Sequence, residues 1–84
     1  MASPIADRAP TDNELTDYDR AHLVIYLRLL DAAEDGADWR EVARIVLGLD
    51  PERDLDRVQK CHESHLARAR WLSAEGYRDL LRKG

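Results

Sequence analysis

Three aspartates, a proline and a glycine between residues 38 and 54 constrain this chain more than any other feature. Asp38 stands directly before Trp39-Arg40-Glu41-Val42-Ala43. Its carboxylate can accept the free amide at Glu41 while Glu41 reaches back to the amide of Asp38, which marks a helix N-terminus. Trp39, Val42, Ala43 and Val46, with Ile45 as a further candidate, supply a buried face, and the helix is expected to end near Leu47 because Gly48 takes the left-handed conformation without a Cβ penalty. Asp50-Pro51 is a second start signal, a cap followed by proline at the first helical position. Asp54 offers another cap a turn later, so Pro51 to Arg53 form a separate turn ahead of a long helix from about Leu55 to Ala74. A short capped helix, a tight turn and a long second helix give the stretch from Asp38 to Trp71 the outline of a helix-turn-helix.

The flanking segments fit one small helical domain. From Asp17 to Glu34 the sequence reads as a single helix, nearly apolar through its middle, with Tyr18, Ile25, Leu29 and Ala32 on one stripe and Leu23, Leu27 and Leu30 on a second. Gly36 ends it. Met1 to Leu15 carry Pro4 and Pro10 without an apolar period and are expected to form a flexible N-terminal arm, with Thr11 or Thr16 as the cap that follows. Gly76 closes the long helix, and Tyr77, Leu80 and Leu81 are expected to form a short last one. The predicted class is all-α, four to five helices containing a helix-turn-helix variant, with residues 16–84 as one domain.

Nothing in the sequence recommends an enzyme. There is no nucleophile elbow and no phosphate-binding glycine loop, so no catalytic residue, cofactor site or small-molecule substrate is assigned. Cys61, His62 and His65 share a helix, but His62-Glu63-Ser64-His65 falls one residue short of the zinc-protease spacing, and only His22 remains as another imidazole. No metal is expected. A lone cysteine, no apolar run long enough to span a membrane and no signal-peptide pattern point to the cytoplasm.

The long helix is expected to bury a face running Leu55, Val58, Cys61, His62, His65, Ala69 and Leu72, and the informative surface is the opposite one. Arg57, Lys60, Ser64 and Trp71, with Arg68 beside them, project at similar angles away from Val58. Three uses stay open: a solvated face laced by Asp54, Asp56 and Glu63, a protein interface anchored on Trp71, or contact with DNA. A net charge of −4 counts against the last, since DNA binders usually carry a basic surplus.

Several blocks carry a family likeness. Tyr18-Asp19-Arg20-Ala21-His22-Leu23, Ala37-Asp38-Trp39-Arg40-Glu41-Val42-Ala43, Asp50-Pro51-Glu52-Arg53, Ser64-His65-Leu66-Ala67-Arg68-Ala69-Arg70-Trp71 and Gly76-Tyr77-Arg78 together resemble the DUF2285 family. The resemblance implies a helix-turn-helix regulator of the excision and conjugative transfer of integrative elements. Asp54 and Asp56 at the start of the long helix favour the family's antiactivator branch. That branch implies a non-enzymatic inhibitor of transcriptional activators, a LuxR-type quorum-sensing regulator and a DUF2285-type activator, with DNA binding weak or absent. Arg57, Lys60, Ser64, Arg68 and Trp71 are the expected partner-binding residues, and a DNA-binding helix-turn-helix regulator is the alternative.

Overall fold

The computed structural model describes residues 5–75. Among them four helices form: α1 (Asp17–Ala21), α2 (Leu23–Glu34), α3 (Trp39–Ile45) and α4 (Leu55–Ala74). The all-α class is as expected. The anticipated last helix with Tyr77, Leu80 and Leu81 lies outside the described residues.

Everything is built on α4. Its residues Val58, Cys61, His62, His65, Ala69 and Leu72 recur at helical spacing and are buried, and α2 and α3 both pack against them. Leu55, expected on the same stripe, is instead 46% exposed, and Ile45, a candidate for the buried face of α3, is 77% exposed. Burying side chains such as Leu29 and Leu72 contributes about 1.5–3 kcal/mol each.

The helix expected to run unbroken from Asp17 is two helices. Thr16 caps α1 through a reciprocal box: its hydroxyl accepts the Asp19 amide at 3.1 Å, and Asp19 Oδ2 accepts the Thr16 amide at 2.9 Å. The break falls at His22, whose Nδ1 donates to the Tyr18 carbonyl at 2.7 Å. That carbonyl is the one a continuous helix would pair with the His22 amide, which turns instead to Asp19 at 3.1 Å. The side chain has displaced the backbone. As a result α2 is rotated so that Tyr26, on neither expected stripe, is fully buried beside Leu29, while Leu23, Ile25, Leu30 and Ala32 pack only at the core's margin.

The expected stops and starts are present, with one change of partner. Gly36 has φ +70°, and the Gly36 and Ala37 amides return to Ala33 and Ala32 at 3.2 and 3.0 Å, closing α2. Asp38 caps α3 through the Arg40 amide at 2.9 Å, one residue short of the expected Glu41. Gly48, at φ +69°, sends the Leu49 amide back to Ala43 at 3.0 Å. Asp50 holds the Glu52 amide at 3.0 Å around a buried Pro51, and Asp54 caps α4 through Arg57 at 3.3 Å. Residues 46–54 therefore join α3 to α4 by a longer connection than the ~3–4-residue turn of the simplest helix-turn-helix units.

Residues 5–15, expected to be a flexible arm, lie along one edge of α4. Ala9 is 7% exposed, and its amide donates to Ser64 Oγ at 3.0 Å. The segment is fastened through backbone groups at Ala6, Ala9, Asp12 and Glu14, with Ile5 and Leu15 packed against the core, a pattern that follows no helical or alternating period.

Candidate nucleic-acid interface

The five residues expected to bind a partner fall along that same edge, and the arm already occupies most of it. Arg68, anticipated on the outer face, is buried: its side chain is 3% exposed. Its Nη2 and Nε grip Asp19 Oδ2 and Oδ1 at 2.7 and 3.1 Å, while Nη1 and Nη2 donate to the carbonyls of Asp12 and Glu14 at 2.6 and 2.9 Å. Trp71 is half-buried, with the Arg68 guanidinium 4.0 Å from its ring centroid. Ser64 takes the Ala9 amide and donates to the Cys61 carbonyl at 3.1 Å. These three are internal fastenings of the fold. Arg57 and Lys60 alone of the five are exposed, and Arg57 is joined to Asp7 at 2.8 Å.

The fastening at Arg68 is a closed network. Tyr26 adds a hydroxyl donor to Asp19 Oδ1 at 2.8 Å, so a fully buried carboxylate is surrounded by donors. Burial alone would lift the Asp19 pKa, but hydrogen bonds from Arg68, the Thr16 amide and Tyr26 outweigh it and hold the carboxyl below its ordinary value. The same carboxylate, sitting beside a buried phenol, helps burial to raise the pKa of Tyr26.

A second buried network engages His65 and Cys61. His65 Nδ1 donates to the Cys61 carbonyl at 2.7 Å, which leaves Nε2 to accept the Tyr18 hydroxyl at 2.6 Å. Burial pushes the His65 pKa down and favours this neutral form. Tyr18 in turn accepts the Ala6 amide at 3.1 Å, and the Cys61 thiol, its pKa raised by burial, donates to the Ala6 carbonyl at 3.3 Å. Among the described residues no group of three or more His, Cys, Asp or Glu is placed to hold a metal ion, and no helix is long and apolar enough to cross a membrane.

What remains exposed is the outer surface of the α3–α4 unit. Val42, Ala43 and Leu47 face inward, so Arg40 and Arg44, one turn apart on α3, face outward. Arg53 stands on the connection, and Arg57 and Lys60 on the first turns of α4. Arg40 lies over the Trp39 ring at 5.5 Å, and Arg44 pairs loosely with Glu52 at 3.4 Å. Sequence reasoning missed Arg40, Arg44 and Arg53, although the i,i+4 spacing of the first two on the polar side of a capped helix was a usable signal. Two of the acids near the start of α4 serve the backbone, since Asp50 accepts the Glu52 amide in the turn and Asp54 caps α4, where a helix N-terminus favours negative charge. Asp50 and Asp54 are therefore required locally, whatever surface the unit presents, while Asp56 stands exposed.

Comparison with known proteins agrees. A family model described as "T6SS, Transcription factor, DNA binding domain" matches residues 2–82. A search of curated proteins found no match. The match overturns the assignment to the DUF2285 family, and the antiactivator role with its LuxR-type and DUF2285-type partners loses the resemblance that supported it. It equally overturns the expectation that DNA binding is weak or absent, which rested on net charge and on Asp54 and Asp56. The matched family is one of transcription-factor domains rather than of enzymes, and with the match running through the arm, the α3–α4 unit and all of α4, this chain belongs to the RovC-type family of T6SS transcription-factor DNA-binding domains.

Proposed function

We propose that this chain binds duplex DNA as the DNA-reading part of a transcriptional regulator, laying the α3–α4 unit against the double helix. The observation that carries the reading is the family match across residues 2–82. The geometry supports it: a rigid pair of helices, capped at both starts, presents Arg40, Arg44, Arg53, Arg57 and Lys60 to solvent on one continuous unit. Arginines and lysines so placed suit phosphate contacts, which position a protein on DNA, while the outward residues of the first turns of α4 suit base edges. An overall charge of −4 is compatible with this, because phosphate binding depends on the local field and two acids of the unit, Asp50 and Asp54, are engaged by backbone amides.

Fluorescence anisotropy with a labelled promoter fragment, across a range of salt concentrations, tests the proposal. Binding should weaken steeply as salt rises, and Lys60→Ala should weaken it further and flatten the salt dependence by a slope of about 0.9, as loss of one phosphate contact requires. Affinity that ignores salt, or no binding to any duplex at low salt, refutes it.

A further inference from the structure

Two carboxylate–guanidinium contacts reach α4, one from α1 and one from the arm, and they differ in kind. Arg68 and Asp19 are sealed, their side chains 3% and 0% exposed, and no outside anion can reach them. Arg57 and Asp7 stand in water, their side chains 63% and 64% exposed, joined through Nε at 2.9 Å and Nη2 at 2.8 Å to the same carboxylate oxygen. A guanidinium that turns two donors toward one acidic oxygen is making the contact it would make with a phosphate.

Asp7 is delivered there by its neighbours. The Ala6 amide and carbonyl are held by Tyr18 and Cys61, and the Ala9 amide by Ser64 with Ala9 itself buried, so the backbone on both sides of Asp7 is pinned in place. The hollow beneath is lined by Asp7, Arg8, Asp54, Asp56, Arg57 and Lys60, three acids against three bases. Its charges cancel only while Asp7 is counted.

We propose that Asp7 acts as an internal stand-in for a DNA phosphate, occupying Arg57 until a duplex displaces it, so that the arm sets the affinity of the α3–α4 surface. This rests on the DNA-binding reading above. Exposed ion pairs are weak and are exchanged readily for another anion, which makes the contact a modest and reversible competitor rather than a lock. Removing it should free one cation for phosphate and leave the hollow with a net positive charge.

The test is salt-dependent anisotropy with the same promoter fragment on Asp7→Asn, Asp12→Asn, Arg57→Ala and the Asp7→Asn/Arg57→Ala double variant of the full chain. Asp7→Asn should bind about fivefold more tightly at low salt, as expected for release of one exposed ion-pair competitor, with a salt slope steeper by about 0.9. Asp12→Asn, which removes an equal charge from the same arm but leaves its carbonyl on Arg68, should change affinity much less. The gain should vanish in the Arg57→Ala background. A melting curve for Asp7→Asn like that of the parent, expected because both partners are exposed, makes a null result count. Unchanged or weaker binding by Asp7→Asn, an equal gain from Asp12→Asn, or a gain that survives without Arg57 each overturn the stand-in while leaving the DNA reading intact. Failure of every chain to bind DNA removes the DNA reading and the stand-in with it.

Discussion

Replacing Arg68 with methionine should do more damage than any other single exchange along α4. The side chain keeps its apolar length but loses four donor contacts at once, two to Asp19 and two to the Asp12 and Glu14 carbonyls. Asp19 is left fully buried as an anion with only the Thr16 amide and the Tyr26 hydroxyl, and breaking a buried pair from one side costs about 3–5 kcal/mol. A chain of 84 residues has a total stability of roughly 4–13 kcal/mol, so the variant should be at the edge of folding at room temperature. Its melting temperature should fall by on the order of 20 °C. Urea unfolding followed by far-ultraviolet circular dichroism measures the loss. The double variant Asp19→Asn/Arg68→Met gives the control, because removing the stranded charge should recover part of it and leave a coupling of about 1–3 kcal/mol. Acid provides an independent check. Since the folded Asp19 pKa is depressed, its contribution is present above the unfolded value of about 3.9 and is lost as pH falls through the folded value, so parent and variant should converge there. A loss under about 1 kcal/mol at neutral pH, or a double variant no better than the sum of the singles, would refute the account of this pair.

Three further outcomes follow from the geometry. Burial depresses the pKa of both His62 and His65, so the stability tied to their neutral forms is full above about pH 6.5 and is lost as pH drops below it; a His65 ring resonance titrating at the ordinary value would contradict this. Gly48→Ala should cost about 1–2 kcal/mol from φ +69° alone, since a Cβ there meets open space, and an unchanged urea midpoint would show that the turn relaxes. Tyr26→Phe should cost about 1–3 kcal/mol and raise the Asp19 pKa by removing one of its donors, which carboxyl-carbon titration by NMR reads directly.

The parts of this fold legible in the sequence were those written locally. Asp38, Asp54, Gly36 and Gly48 each act within a few residues of themselves, and each stands where its chemistry placed it. His22 was not legible as a break, because any helix tolerates a histidine and the decisive bond runs from its ring to a carbonyl that every residue possesses. Tyr26 fell between two apolar stripes that were real but marginal, since the rotation of α2 follows from that break. Arg68 resembled a solvated cation because its partner lies 49 residues away, and a buried pair of that separation leaves no mark on either helix. The candidate interface suffered the reverse error: net charge was read as an indicator of partner, whereas Asp54, one of the acids concerned, is the cap of α4.

The order in which these contacts lie along the chain governs when it can fold. Asp19 and Tyr26 are synthesised early and their counterpart Arg68 late, with α4 following every other described helix. A nascent chain that has exposed α1, α2 and α3 lacks the surface on which α2 and α3 settle, and its buried carboxylate has nowhere dry to go. Closing so long a loop is entropically slow, but it is also undivided: the arm, the two early helices and α3 gain their partner in one event. Folding should therefore wait for release of α4 from the ribosome and then proceed without a stable partial form, so that no DNA-competent fragment exists before α4 has emerged.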